Sequence, residues 1–182
     1  MTRIISGSFR GKQIRAPRNL PVRPTTDFAK ESLFNILNNH YYFDEIKVLD
    51  LFAGTGNVSY EFASRGCPDV TCVDKNPACL RFIRKTFEQL QYQTYSAVQS
   101  DCLEYLKREF AEYDLIFTDP PYDFEAYESL VERVFLNHLL KEEGMLIIEH
   151  QARVKLNELP HFQKFRKYGN VGFSFFAAEE TE

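Results

Sequence analysis

From residue 46 to residue 149 the chain alternates short apolar runs with amphipathic stretches, and this alternation restricts the fold more than any other feature of the sequence. The runs at 46–51, 70–73, 95–99, 113–118 and 144–149 read as strands, and the stretches at 58–65, 77–90, 103–110 and 124–137 between them read as helices. Strands that alternate with helices build a mostly parallel sheet with helices on both faces, an α/β fold. The tail breaks the pattern. Residues 162–168 and 171–177 flank Gly169-Asn170 and predict an antiparallel hairpin closing one sheet edge. Ahead of the sheet, residues 27–39 place Phe28, Leu33, Phe34, Ile36 and Leu37 on one helical stripe, with Thr26 or Asp27 as cap. No repeat or interdomain linker interrupts the chain. Its 182 residues, 44% hydrophobic, suit one domain.

Candidate functional residues recur at the ends of the predicted strands. Asp50 closes the first, and Gly54 and Gly56 follow before a helix, so the backbone can turn tightly and approach a ligand at a helix N-terminus. A dinucleotide loop would carry G-x-G-x-x-G, but its third glycine position holds Ser59. Pyrophosphate therefore fits poorly, and Asp50 suits a cationic amino group better. Asp74 ends the second strand, near the spacing at which an acid meets ribose hydroxyls. Asp101 follows the third and can accept from an adenine amine, although Asp is also a favoured helix cap. Asp119-Pro120-Pro121-Tyr122 follows the fourth. A carboxylate and a carbonyl outside strand pairing can accept from both N–H groups of an exocyclic amine while an aromatic ring stacks on its base. A proline turn closing a strand accounts for the prolines alone.

Charge is divided unevenly. Residues 1–26 hold Arg3, Arg10, Lys12, Arg15, Arg18 and Arg23 and no acid, whereas the remaining 16 cations face 26 acids, a net −10. The first segment reads as a basic arm suited to a phosphate backbone, and Lys164, Arg166 and Lys167 offer a second basic cluster that can widen the same face. A solvated flexible terminus is the plainer reading of the arm.

No apolar run reaches membrane-spanning length and the start, Met1 to Ser6, lacks a secretory apolar region, so a cytoplasmic protein without membrane contact is expected. Cys67, Cys72, Cys79 and Cys102 form no C-x-x-C pair and read as reduced structural thiols, with no metal expected. His40, His138, His150 and His161 are scattered and none is assigned to catalysis.

Several stretches together resemble the bacterial small-subunit ribosomal RNA guanine-N2 methyltransferases of the DPPY type over nearly the whole chain. They are Arg3-Ile4-Ile5-Ser6-Gly7 with Arg10-Gly11-Lys12, Arg23-Pro24-Thr25-Thr26-Asp27 with Lys30-Glu31 and Leu33-Phe34-Asn35, Asp50 to Gly56, Ser64-Arg65-Gly66, and Asp119 to Tyr122. The resemblance implies a seven-stranded Rossmann-like methyltransferase fold, S-adenosylmethionine as donor, and the N2 amine of one guanine in 16S ribosomal RNA as acceptor. A monomer acting on an assembling small subunit is the expected form. It assigns catalysis to Asp119, Pro120, Pro121 and Tyr122. Donor binding falls to Asp50, Phe52, Gly54, Gly56, Asp74, Asp101 and Cys102, and RNA binding to Arg3, Arg10, Lys12, Arg15, Arg23 and Thr25. Residues 1–26 are then an RNA-binding arm and 27–182 the catalytic core. Phe28 and Lys30 stand where such enzymes usually carry arginines, and Asn57-Val58-Ser59-Tyr60 replaces the smaller residues usual after the glycine loop.

Three other functions compete. A DNA adenine-N6 methyltransferase uses the same acceptor residues on another amine, but the chain leaves little room for a target-recognition domain. A protein glutamine methyltransferase begins the related motif with Asn and gives the arm no purpose. A non-catalytic RNA-binding module has no need of Asp119 beside a donor site.

Overall fold

A computed structural model describes residues 2–20 and 25–178. Its centre is a seven-stranded sheet built from β3 (Lys47–Leu51), β4 (Asp69–Asp74), β5 (Tyr95–Gln99), β6 (Tyr113–Thr118), β7 (Leu140–Gln151), β8 (Phe162–Tyr168) and β9 (Val171–Ala177). The order across the sheet is β5-β4-β3-β6-β7-β9-β8. β3 to β7 pair in parallel, and β9 runs antiparallel to both β7 and β8. The predicted α/β sheet and its terminal hairpin are both present. Lys164, Arg166 and Lys167 fall on β8, the edge strand, where cations also hinder pairing with another chain.

The helices are α1 (Asp27–Leu37), α2 (Asn57–Ser64), α3 (Pro77–Leu90), α4 (Cys102–Arg108) and α5 (Tyr127–Leu136). Thr26 caps α1 by accepting from the Ala29 amide at 3.2 Å, and α1 buries Leu33, Phe34 and Leu37 against Phe43 and Phe62. Some bounds differ from the sequence reading. α4 stops at Arg108 because Glu109 turns extended and its carboxylate accepts from the amides of Phe110 and Ala111. α5 starts at Tyr127, since residues 121–124 form a turn closed by the Phe124 amide donating to the Pro121 carbonyl. β7 starts at Leu140, before an irregularity in its pairing with β6.

The N-terminal segment is folded onto the domain. β1 (Thr2–Arg3) and β2 (Gln13–Ile14) pair as a small antiparallel ribbon. The Ile5 and Ser6 amides donate to the two carboxylate oxygens of Glu61 on α2, at 2.9 and 3.0 Å, and the Phe9 amide donates to Ser64 Oγ at 2.9 Å. Gly7 makes the approach possible: its φ is +82°, and a Cβ there would lie 1.8 Å from the Ser64 carbonyl oxygen. Arg3, Arg10, Lys12, Arg15 and Arg18 remain exposed on this ordered segment. Arg23 lies outside the described residues.

No helix among the described residues is long and apolar enough to cross a membrane. The four cysteines are free and buried, and burial pushes the Cys67 thiol up to about 12.

Candidate active site

The chain runs outward from β3 through β4 to β5, then returns to place β6 on the other side of β3. Loops leaving neighbouring strands in opposite directions open a crevice at their carboxyl ends, where open α/β sheets bind ligands. Here that crevice is a cavity of about 500 Å³. One wall comes from the ends of β3 and β4, including Asp50, Phe52, Gly54 and Asp74; another comes from the ends of β6 and β7, including Asp119 to Tyr122 and Glu149.

Asp50 is 2% exposed, and Ser59 Oγ donates to its Oδ2 at 2.5 Å. Burial raises its carboxyl to about 7; the Ser59 hydrogen bond works against that rise and the charge of Asp74 adds to it. Ser59 therefore fills the third glycine position of a dinucleotide loop with a group that orients an acid. Asp74 fixes the loop itself, because its Oδ2 accepts from the Gly54 amide and its Oδ1 from the Asn76 amide, both at 2.8 Å. Phe52 holds a left-handed backbone at φ 57° and packs edge-on against Phe124, with ring centres 5.3 Å apart. This contact joins the glycine loop to the turn that contains Tyr122.

On the acceptor side Asp119 is half-buried, Pro120 buried, and Pro121 and Tyr122 exposed, with Tyr122 at 49%. Thr25, assigned above to RNA, is buried: its Oγ1 donates to Glu149 Oε2 at 2.6 Å, and it reaches the cavity wall. Gly56, Asp101 and Cys102 lie outside the lining. Gly56 begins α2 at φ +78°, Asp101 caps α4 by accepting from the Leu103 and Glu104 amides, and Cys102 is buried. Arg3, Arg10, Lys12 and Arg15 are also away from this cavity, with Lys12 and Arg15 beside the second half of α3.

Sequence reasoning missed Glu149 and His150, both buried and both on the cavity wall. They end an apolar run, where nothing but their position after the strand marked them. His150 Nε2 lies 2.7 Å from Ser174 Oγ, and burial lowers its pKa against a bond to the Gln151 carbonyl.

A glycine loop after the central strand, with an acid-Pro-Pro-aromatic segment after its neighbour on this sheet, defines a methyltransferase of Rossmann-like architecture. The chain belongs to the family described as "Conserved hypothetical protein 95", whose model matches residues 2–177. Among its relatives, "Putative rRNA methyltransferase YlbH" of Bacillus subtilis is 32% identical over 160 residues, 86% of each chain. "Ribosomal RNA small subunit methyltransferase D" of Haemophilus influenzae is 30% identical over 151 residues, 81% of this chain and 77% of that one. The solved structure "Putative methyltransferase yhhF from Escherichia coli" superposes with a TM-score of 0.83 at 25% identity, covering 96% of both chains. The fold is shared more distantly with the S-adenosylhomocysteine-bound Podospora anserina methyltransferase PaMTH1, at TM-score 0.61 and 13% identity over 73% of this chain and 72% of that one.

Proposed function

We propose that the protein transfers a methyl group from S-adenosylmethionine to the exocyclic N2 amine of a guanine in 16S ribosomal RNA. The observation that carries this reading is that Asp119 and Tyr122 share one cavity with Asp50, Gly54 and Asp74. Acceptor groups and donor groups thus face a common space. The donor's cationic amino group matches Asp50, its ribose hydroxyls match Asp74, and Gly54 leaves its surface open. When bound, it supplies a methyl group on a positively charged sulfur.

The protein's own part is orientation. A guanine N2 lone pair is delocalised into the ring and attacks poorly while the amine stays planar. Asp119 and the Pro120 carbonyl accept from its two N–H groups and favour a pyramidal nitrogen whose lone pair faces the methyl group. Tyr122 stacks on the base and holds the line of approach, and positioning of this kind lowers a barrier by several kcal/mol. The nitrogen becomes cationic as the bond forms, so its proton turns acidic and Asp119 can take it without being a strong base. The base must leave its stack to reach these groups. The exposed cations of residues 3–18 then hold phosphates of the RNA, within an assembling small subunit and with the protein as a monomer.

Incubation with labelled donor and, separately, small-subunit RNA, assembled subunits, DNA and protein tests the reading. Digestion of the labelled RNA to nucleosides should yield N2-methylguanosine. Label recovered as N6-methyladenosine from DNA would establish the adenine alternative, and label in protein would displace both.

A further inference from the structure

We propose that Phe28, braced by Tyr168, stacks on a base of the RNA strand that lies within two nucleotides of the target guanine, while Arg166 holds a phosphate of that strand. This inference rests on the RNA reading above and assigns a second contact surface at the mouth of the same cavity.

The sequence puts Phe28 on the apolar stripe of α1. In the structure that helix buries Ala29, Lys30, Leu33, Phe34 and Leu37, and Phe28 lies off this face at 67% exposure. Its ring meets Tyr168 on β8 instead, with centres 6.0 Å apart and planes at 77°. Tyr168 is half-buried and packs on the fully buried Phe173, ring centres 5.7 Å apart, so the brace is fixed to the core. An edge-on contact covers at most one face of the Phe28 ring, and the other faces water.

Two connections put this pair at the rim of the cavity. Thr25 and Thr26 line the cavity, and Phe28 follows them in the first turn of α1. Val171 lines it as well, and Val171 is the residue paired with Tyr168 across the terminal hairpin. A strand whose guanine enters the cavity therefore carries its neighbouring bases past this rim.

Charge selects the occupant. β8 pairs with β9 without irregularity from Lys164 to Tyr168, so Lys164, Arg166 and Tyr168 share one face of the strand. Lys164 Nζ lies 4.9 Å from the Phe175 ring centre, and Arg166 is exposed, with Nη1 donating to the Phe165 carbonyl at 3.3 Å. A guanidinium has five N–H donors, enough to reach a phosphate as well. Of the nearby acids on α1, Asp27 lies 3.9 Å from Arg3 and Glu31 is one turn further along the helix. Aromatic faces beside cations suit single-stranded nucleic acid, with rings taking bases and cations taking the backbone. An apolar protein segment would leave the cations of β8 without a counterpart.

Small subunits are reconstituted with 16S RNA in which one nucleotide at a time, at each of the two positions on either side of the guanine that the wild type modifies, is made abasic. One of these substrates should lower the wild-type kcat/KM about 10-fold, within the range for a single base–aromatic stack. Phe28→Ala should lose about 10-fold on the intact substrate and no more on that abasic one, whereas Phe28→Trp keeps the wild-type pattern. Arg166→Ala should flatten the slope of log affinity against log salt by about 0.7. Losses that multiply between Phe28→Ala and every abasic position overturn the proposal and give Phe28 a protein partner or a structural role. A wild type indifferent to every abasic position overturns it without any variant, and an unchanged slope in Arg166→Ala overturns the phosphate contact. Urea unfolding and calorimetry with S-adenosylhomocysteine should match the wild type in Phe28→Ala; a fall in either makes the residue a brace of α1 and overturns the stack. Failure of the wild type to form N2-methylguanosine on the intact substrate would instead remove the parent reading.

Discussion

Lys30 Nζ lies 3.5 Å from Glu61 Oε2 with both side chains fully buried, and this pair joins α1, α2 and the N-terminal ribbon. Lys30 also donates to the Arg3 carbonyl at 2.6 Å, while Glu61 accepts from the Ile5 and Ser6 amides and from Arg65 Nε at 3.0 Å. Burial pulls the Lys30 ammonium below its usual range, and Glu61 opposes that pull. In the sequence Lys30 stands where the resembling enzymes usually carry an arginine; in the structure it anchors the N-terminal ribbon from within. Removing one member of a buried pair strands the other. Lys30→Met should therefore cost about 3 kcal/mol, the low end of the range because Arg65 still compensates Glu61. Urea unfolding measures the loss; an unaltered midpoint would mean that the ribbon is held without the ion pair.

With Asp50 at the donor's amino group as proposed, donor binding should depend on pH. The Asp50 carboxyl sits at about 7, so in the free protein it is largely neutral at pH 6 and largely ionised at pH 8. A cationic amino group needs the ionised form, so affinity for S-adenosylhomocysteine should rise as pH increases through 7 and then level off. The folded value lies above the ordinary carboxylate value, so the stability linked to this group is complete at low pH and is lost as pH rises toward and through 7. Asp50→Asn should accordingly gain stability relative to the wild type between pH 5 and pH 8, by up to about 4 kcal/mol at 1.36 kcal/mol per pH unit, while losing donor affinity. Ser59→Ala removes a bond that favours the charged form and should move the affinity transition above pH 7. Calorimetric titrations across pH 5.5–8.5 would refute the assignment if affinity were flat.

The parallel sheet was legible because apolar strands and amphipathic helices differ in period, and Gly169-Asn170 marked the terminal hairpin. The two-residue strands β1 and β2 were not, because no local pattern dictates them. Glu61 and Ser64, more than fifty residues away, place them, and Gly7 clears the Ser64 carbonyl. Thr25 illustrates the same limit, since its buried bond to Glu149 spans 124 positions. The strand-end acids were visible as residues, but what each accepts from emerged only when the chain was folded.

Asp74 shows what such a bond changes. A role confined to ribose hydroxyls predicts a loss of about 1.5–3 kcal/mol in donor binding for Asp74→Ala. Because its carboxylate also holds the Gly54 and Asn76 amides, the substitution should loosen the glycine loop and exceed that range. A calorimetric loss under 1 kcal/mol would separate Asp74 from the donor altogether.

Asp119 and Tyr122 should act on chemistry and on the acceptor while sparing the donor. Asp119→Ala is expected to abolish methyl transfer with near-normal affinity for S-adenosylhomocysteine. Tyr122→Ala should forfeit about 1–3 kcal/mol of stacking, whereas Tyr122→Phe keeps the ring face and most activity. If the Phe variant is as inactive as the Ala variant, the hydroxyl carries the function and stacking does not.

The ribbon gives a prediction in ionic strength. Arg10, Lys12 and Arg15 are exposed on a segment tied to α2, and none of them lines the active-site cavity, so replacing all three with Ala should weaken RNA binding and leave donor affinity unchanged. Each phosphate contact with single-stranded RNA contributes about 0.7 to the slope of log affinity against log salt, so the loss of three contacts flattens that slope by roughly two units. A displaced ribbon would behave differently, lowering affinity at every salt concentration and disturbing the α2 contacts behind the glycine loop, so donor binding would fall as well. Filter-binding titrations between 50 and 300 mM salt, paired with donor calorimetry, distinguish these outcomes. An unchanged slope with unchanged affinity would release the ribbon from any phosphate role and turn attention to Lys164, Arg166 and Lys167 on the edge strand β8.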